Sequence, residues 1–336
     1  MMSKLANTTT TLFLTAATVV PAFFASLPAQ AKAASYPAKP ITLVISTPPG
    51  SGSDIVGRKI ADGLAKGLGQ PVIVENVGGA AGLVAAEMVA RKAPDGHTLV
   101  WNAPAAITTW PYLKKLSFNP EKDLKPVSLA VRYPLVWLAN PSLQIHGIAD
   151  LVKLDQEYTK KGKSLTAGNA GVGGQNQLGI LMLNQQAGTH LLPVPYKGEG
   201  PSLLDLAGGH IDTVVTSLTS ALPYLQNKRV IAIACASKER ASALPDLRTV
   251  AEQGYPDYSI EGWGGIFAPA KTPDDIVKIL NAAIVKVVRT PAMAKIMRDE
   301  GSEPVGSTPG EFAAVIQQGS HQNKDLIKQF KLAEDH

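Results

Sequence analysis

The sequence predicts an α/β protein built from two lobes, each with a mixed, mostly parallel sheet. Short apolar runs typical of buried strands alternate along the chain with amphipathic runs typical of helices. Glycine-rich loops separate several of these strands from the helices that follow. Two such strand–loop–helix blocks, one near residue 45 and one near residue 170, are similar to each other and indicate two related lobes.

The strands are predicted from the apolar runs, in chain order. The first run, ITLVI at 41–45, leads directly into a loop of proline, glycine and serine. Turn residues of this kind end a strand because they favour backbone conformations that a strand cannot continue. The strands are predicted at 41–45, 72–75, 98–102, 135–139, 165–167, 194–195, 213–215 and 230–234.

The helices are predicted from amphipathic runs between these strands and after the last of them. Asp54 begins the first helix as an N-cap or first-turn residue. The acidic pair Asp274 and Asp275 begins a later helix, where negative charge favours the helix dipole. The helices are predicted at 54–68, 83–92, 148–160, 176–187, 202–207, 273–288, 291–300 and 311–330.

The composition fits a folded protein of two ordinary domains and excludes some function classes. The 336 residues are 45% hydrophobic and 18% charged, which supplies a sizeable core. The net charge of +5 comes from scattered Lys and Arg residues. Nucleic-acid binding requires a basic patch with aromatic residues, and the sequence shows none, so no nucleic-acid partner is expected.

The N-terminus predicts a signal peptide over residues 1–33. Lys4 precedes an apolar stretch that Pro21 interrupts, and small residues then form A-x-A cleavage patterns. The stretch is too short and too interrupted for a membrane anchor. Cys235, the single cysteine, lies in the apolar run VIAIACAS and is interpreted as a core residue. An exported protein without disulfides suits a bacterial periplasm.

Four loops follow predicted strands and form the candidate ligand site. Ligands of open α/β sheets bind beyond the carboxyl ends of the strands. Glycine lets the backbone approach a ligand and direct its N–H groups inward, and a helix start favours an anion. The loops contain no Lys or Arg, so dipoles, hydroxyl groups and water would hold the anion. The loops are TPPGSGS at 47–53, VGGAAG at 77–82, NAP at 102–104 and GNAGVGGQ at 168–175.

For any one loop, a tight turn with a helix cap is the alternative interpretation, and four such loops favour a site. No metal site and no cofactor are expected, because the six histidines show no ligand spacing. The sequence GSGSD is not a nucleophile elbow. A hydrolase using Ser51 or Ser53 would need a His/Asp pair that no spacing proposes. The protein is therefore not expected to be an enzyme.

The motifs of the chain together resemble the Bug/TctC family, the periplasmic receptors of tripartite tricarboxylate transporters. The matching pieces cover essentially all of the mature chain. They are YPAKPITLVISTPPGSGSDIVGRKIADGLAKGLGQPVIVEN, GGAAG, APDGHTLVWN, FNPEKDLKPVSLA, NPSL, GNAGVGGQNQLG, PVPYKGEGPSLLDLAGGHID, LPDLRTVAEQGYPDY, WGGIFAPAKTP and EGSEPVGSTPGEF.

The resemblance implies a two-lobed, type II Venus-flytrap fold of periplasmic binding proteins. Lobe 1 would comprise residues 36–135 and 256–336, and lobe 2 residues 136–255. It also implies that a carboxylate is held between the first two glycine-rich loops. With the loops above, the ligand-binding residues are predicted as Pro48, Pro49, Gly50, Ser51, Gly52, Ser53, Gly78, Gly79, Ala80, Ala81, Gly82, Asn102, Asn169, Ala170, Gly171, Gly173, Gln175, Tyr196 and Thr216.

The resemblance implies a monomeric solute-binding protein that delivers a small carboxylate to the membrane components of a tripartite tricarboxylate transporter. A ligand sensor that docks onto a signalling partner is the alternative. Departures from the family pattern at Ser51, at Val77-Gly78 and at Gln177 bear on the ligand more than on the fold. Aliphatic di- and tricarboxylates, amino acids and aromatic acids all stay open. Trp101 and Trp110 would line either an aromatic-accepting pocket or the core.

Overall fold

The computed structural model describes residues 36–47, 49–299 and 301–333. The expected signal peptide and Pro48 lie outside these residues. Within the described ranges, none of the helices has both the length and the apolar character needed to cross a bilayer.

The described residues form strands and helices in alternation, as the sequence predicts. The strands are β1 (Ile41–Ile45), β2 (Val72–Asn76), β3 (Thr98–Asn102), β4 (Leu124–Ala139), β5 (Thr166–Asn169), β6 (Leu192–Pro195), β7 (Thr213–Ser217), β8 (Ile231–Cys235), β9 (Glu261–Pro269) and β10 (Glu303–Pro304). The helices are α1 (Gly52–Leu68), α2 (Leu83–Ala90), α3 (Trp110–Leu113), α4 (Pro120–Asp123), α5 (Ile148–Lys160), α6 (Gln175–Ala187), α7 (Glu199–Gly208), α8 (Leu218–Gln226), α9 (Asp274–Val288), α10 (Pro291–Asp299) and α11 (Pro309–Gln329).

The strands are ordered β2-β1-β3-β9-β4-β7-β5-β6, and β8 and β10 also pair with β4. The pairs β1/β2, β1/β3, β5/β6 and β5/β7 are parallel. Every antiparallel pair includes β4 or β9. The parallel strands therefore lie on the two sides, and β4 and β9 join them into a mixed arrangement.

Strand β4 belongs to both sides of the molecule. Its residues up to Pro134 pair with β9, and from Leu135 onward they pair with β7 and β8. We call the first set (β2, β1, β3, β9, β10 and residues 124–134) the near sheet. We call the second set (residues 135–139, β7, β8, β5 and β6) the far sheet. The chain returns to the near sheet where β9 begins at Glu261.

Each sheet has its own core. Leu43, Ile60 and Ile284 belong to a cluster on the near sheet, whereas Trp137 and Leu178 belong to one on the far sheet. Cys235 is fully buried in a second far-sheet cluster, as predicted. The helices pack their apolar faces against the sheets and thereby bury these residues. Helix periodicity places the apolar positions of each helix on one face.

Helix α11 contacts the cores of both sheets. Phe312 and Ile316, in its first half, pack with the near-sheet residues Trp263 and Phe267. Leu326, in its second half, packs in the far-sheet cluster. The capping box of Thr308 and Glu311 fixes where this helix begins. Strand β4 and helix α11 therefore both connect the two sheets.

Candidate functional site

A cavity of about 360 Å³ lies where the carboxyl ends of near-sheet and far-sheet strands meet. From the near sheet it is lined by the loops after β1 and β3 and by the start of β9. From the far sheet it is lined by the loops after β5 and β7 and by the start of α7. Its lining includes Ser51, Ser53, Ala103, Pro104, Ala105, Tyr133, Leu135, Gly174, Gln175, Asn176, Glu199, Ser217, Thr219, Ser220, Gly262 and Trp263. A larger groove, of about 550 Å³, lies between α1 and α9, away from these strand ends.

The first glycine-rich loop presents its serines to this cavity. Ser51 is the N-cap of α1, and its hydroxyl accepts a hydrogen bond from the backbone N–H of Asp54. The Thr47 hydroxyl lies 2.7 Å from the Ser51 hydroxyl. Ser53, the second residue of α1, lines the same cavity. Pro49 and Gly50, earlier in the loop, are exposed. The loop therefore offers hydroxyl groups at a helix start, where an anion is favoured.

Asp54 holds this loop in place from below. Its carboxylate accepts hydrogen bonds from the Gly50 N–H at 2.9 Å, from Arg58 Nε at 3.0 Å and from Asn76 Nδ2 at 2.8 Å. Burial by itself would raise the pKa of Asp54, but the hydrogen bonds from Arg58, Gly50 and Asn76 outweigh it and lower the pKa below 3.8. Asp54 is only 3% exposed, so it positions the loop and is closed to a ligand.

The second glycine-rich loop has four consecutive residues with positive φ. The angles are 127° at Gly79, 45° at Ala80, 54° at Ala81 and 95° at Gly82. Two of the four are alanines, for which this region is strained by roughly 1 kcal/mol each. Gly78 to Ala81 are exposed at the end of β2, while Gly82 is buried at the start of α2. None of the five residues from Gly78 to Gly82 is among the residues that line the cavity.

Asn102 connects the loops of the near sheet. It is fully buried at the end of β3. Its amide oxygen accepts hydrogen bonds from the Ser46 hydroxyl at 3.2 Å and from the Ala103 N–H at 2.9 Å. Its amide nitrogen donates to the Gly82 oxygen at 3.1 Å. Asn102 therefore positions the predicted loops relative to one another and does not face the cavity itself.

The far-sheet loop reaches across to the near-sheet side. Gln175, which lines the cavity, donates to the Thr109 hydroxyl at 3.4 Å. Gly173 has φ +74°, and a Cβ there would lie 2.5 Å from Leu113 Cδ1. A side chain at this position would have to displace the end of Leu113 and would adopt a strained backbone conformation. Thr109 belongs to a π-helical turn, Ala105–Thr109, a local distortion that is frequent at functional sites.

The other predicted far-sheet residues are not among those that line the cavity. Asn169 is fully buried and its oxygen accepts the Gly171 N–H, with Ala170 half-buried between them. Within the described residues, the Asn169 amide nitrogen and the buried Thr216 hydroxyl have no hydrogen-bond partner. The Tyr196 hydroxyl donates to Asp205, and burial and that carboxylate raise the pKa of Tyr196 to about 12. Tyr196 therefore stays neutral at physiological pH.

Of the predicted site residues, the structure brings Ser51, Ser53 and Gln175 together in the cavity. Sequence reasoning did not single out Tyr133, Glu199, Ser217, Ser220 or Trp263, which also line the cavity. Ser217 and Ser220 follow a predicted strand end in the order S-x-x-S, which is a helix-cap signal that could have found them. Trp263 lies in WGGIF, where Gly264 and Gly265 leave room for Trp101 and Phe312 to pack.

The tryptophans divide between cavity and core. Trp101 is 1% exposed and packs in the near-sheet cluster that contains Leu43. Trp110 packs against the cluster that contains Phe312, with the Lys114 ammonium over its ring. Trp263 has edge-to-face contact with Phe312, with ring centroids 5.2 Å apart. Trp263 is therefore the tryptophan that contributes an aromatic surface to the cavity. Within the described ranges, no group of His, Cys, Asp and Glu side chains is arranged to hold a metal ion.

Comparisons with known proteins show which proteins the chain is similar to. Residues 56–332 match the family described as "Tripartite tricarboxylate transporter family receptor". The chain is 32% identical over 298 residues to Protein BugT of Bordetella pertussis (strain Tohama I). The alignment covers 87% of this chain and 89% of BugT.

Solved structures show the same fold. One is the structure of a periplasmic transporter that is 33% identical to this chain, with a TM-score of 0.75. The match covers 89% of this chain and 100% of that chain. Another is MatC from Rhodopseudomonas palustris with bound malate, with 31% identity, 87% and 100% coverage and a TM-score of 0.71. These likenesses confirm the predicted two-lobed α/β fold of periplasmic binding proteins.

Proposed function

Since the chain belongs to the tripartite tricarboxylate transporter receptor family, we propose that it is a periplasmic receptor that binds a small carboxylate between two lobes and delivers it to a transporter. The family consists of receptors, so the protein binds its ligand and does not transform it. The MatC structure, titled with bound malate, supports a carboxylate ligand. Delivery to the membrane components of a tripartite transporter rests on the family description.

The observation that carries the proposal is the cavity shared by the two sheets. Its near side offers the hydroxyls of Ser51 and Ser53 at the start of α1, and its far side offers the side-chain amide of Gln175. A carboxylate prefers hydroxyl and N–H donors, and a helix start adds favourable potential. Among the described lining residues there is no Lys or Arg, so binding would rest on dipoles and stay reversible.

Closure would follow from differential binding. A ligand that touches both sides gains contacts only when the lobes are shut, so it shifts the population toward the closed state. We place the bending point where β4 passes from one sheet to the other, at Pro134 and Leu135, and where the chain returns at Glu261. The lobes would then correspond to residues 36–135 with 256–336, and 136–255.

The test is a panel of small carboxylates with neutral sugars as the comparison set. Carboxylates should raise the melting temperature and sugars should not. A ligand at a hundred times its Kd stabilises the folded protein by about 2.7 kcal/mol. Small molecules released from gently purified, denatured protein and identified by mass spectrometry would name the natural ligand. A melt that only sugars or cations shift would refute carboxylate binding.

Export and oligomeric state complete the proposal. We expect the mature protein to begin between Lys32 and Ser35 and to act as a monomer. N-terminal sequencing of protein from the periplasm tests the first statement, and light scattering of the ligand-free protein tests the second. Retention of Met1 would refute processing of a signal peptide.

A further inference from the structure

Glu199, the first residue of α7, has a carboxylate held by four hydrogen bonds. Its Oε1 accepts from the Ser217 N–H at 2.9 Å and from Asn176 Nδ2 at 3.2 Å. Its Oε2 accepts from the hydroxyls of Ser217 and Ser220, each at 2.6 Å. A carboxylate has about four lone-pair positions, so this set of donors satisfies it.

Glu199 and all three donor residues line the cavity of the proposed site. Glu199 is half-buried there. It carries the only formal charge among the lining residues that the structure describes. The far side of the cavity therefore contains an anion already, and that anion belongs to the protein.

The donors that hold Glu199 are those that a ligand carboxylate would use on this side. Two hydroxyls, a backbone N–H at the start of α8 and a side-chain amide form a set typical of anion recognition. A second carboxylate of a ligand would find these donors occupied. It would also meet a like charge in a partly desolvated site, where repulsion is much stronger than in water. Repulsion of this kind excludes unwanted ligands.

We propose that Glu199 is a specificity-determining residue that restricts the ligand to a single carboxylate. The ligand's carboxylate lies on the near side, at Ser51 and Ser53, and its other end is neutral or cationic. The apolar surfaces of Pro104, Leu135 and Trp263 fit an aliphatic or aromatic body between the two ends. This inference rests on the proposed function, which leaves the number of carboxylates open.

The experiment uses acids matched in length that differ at the far end. One set is hexanoate, adipate and 6-aminohexanoate, and the other is 4-methylbenzoate, terephthalate and 4-(aminomethyl)benzoate. Isothermal titration of the wild-type protein should show the dicarboxylate of each set binding at least tenfold more weakly than its methyl partner. That factor corresponds to about 1.4 kcal/mol.

Glu199→Gln keeps the size of the side chain and removes its charge. In this variant we expect the tenfold gap between methyl and carboxylate ends to fall below threefold, and the affinity for the ammonium acid to fall relative to its methyl partner. Glu157→Gln, at an exposed position on α5 of the same side of the molecule, is the matched control and should leave both ratios unchanged. Melting curves of the ligand-free proteins establish that each variant is folded.

The wild-type measurement tests the inference even if the variant folds poorly. If the tightest ligands of the carboxylate panel are dicarboxylates, the inference is overturned while the proposed function stands. If Glu199→Gln tightens all carboxylates equally, Glu199 is a displaceable plug and the selection by charge is refuted. Failure of every carboxylate to bind would remove the proposed function, and this inference with it.

Discussion

The side-chain amide of Asn102 donates a hydrogen bond of 3.1 Å to the backbone oxygen of Gly82. Through this bond the end of β3 fixes the end of the second glycine-rich loop. The amide oxygen of the same residue accepts from Ser46, after β1. One buried side chain thus sets the spacing of three loops at the edge of the near sheet.

Asn102→Ala should therefore destabilise the protein by about 2–3 kcal/mol, because it removes the hydrogen bonds to the Gly82 oxygen, the Ser46 hydroxyl and the Ala103 N–H. Urea unfolding measures this loss. Gln226→Ala, at an exposed position at the end of α8, is the control and should change stability by less than about 0.5 kcal/mol. An Asn102→Ala protein as stable as the control would show that the amide does not hold the loops.

Gly82→Ala should destabilise the protein by about 2 kcal/mol or more. The residue has φ +95°, and an added Cβ would lie 2.4 Å from the Asn102 oxygen. Gly67→Ala is the matched control, since its Cβ on α1 meets nothing within 4 Å and should stabilise that helix by roughly 0.5–1 kcal/mol. Thermal melts of the two variants should shift in opposite directions.

Ala81→Gly should stabilise the protein, by roughly 0.5–1 kcal/mol. Its φ of +54° is strained for alanine and relaxed for glycine. Ala282→Gly, at an exposed position within α9, should lose about 1 kcal/mol because its backbone is helical. A destabilised Ala81→Gly protein would mean that the alanine methyl makes contacts that outweigh the strain.

Asp54 should make stability depend on acid pH. Its folded pKa is lowered below the unfolded value of 3.8, so its contribution is complete above that value and is lost as pH falls through the lower folded pKa. The stability difference between wild type and Asp54→Asn, from urea unfolding between pH 6 and pH 2.5, should shrink toward the acid end. A difference that stayed constant over this range would contradict a role of the Asp54 carboxylate in the pH dependence of stability.

Trp263 should report ligand binding by its fluorescence, because it is the tryptophan that lines the cavity. We expect a carboxylate that binds to change the emission of the wild-type protein and to leave that of Trp263→Phe unchanged. Trp137→Phe removes a fully buried tryptophan bonded to Tyr258, and its ligand-dependent change should persist. A full signal in Trp263→Phe would place the ligand elsewhere.

Much of the fold was predictable from the sequence because most strands are short apolar runs, and β1, β2 and β5 lead into glycine-rich loops. β9 escaped prediction because Gly262, Gly264 and Gly265 lower its strand propensity, yet the packing of Trp101 and Phe312 requires two of them. The first part of β4 escaped because Pro126 and Pro134 interrupt it. α8 escaped because Pro223 lies inside it.

For the site, the sequence predicts loops more readily than side chains. Glycine-rich segments after strands can be recognised in the sequence, and Ser51, Ser53 and Gln175 were predicted because they lie in such segments. Glu199 does not, because its role depends on Ser217 and Ser220, which lie well beyond it in the chain and reach it only through the far sheet. Distances of this kind are set by strand order, which local patterns do not contain.

The place of β9 between β3 and β4 fixes the order in which the chain can assemble. The far sheet is complete once residues 135–235 are present, because its strands are contiguous in sequence. The near sheet lacks a central strand until residues 261–269 are available. Since pairing between distant segments is slow, we expect the far sheet to fold first. Strands β1 to β3, within the first hundred or so residues, would join the near sheet only after β9 is available.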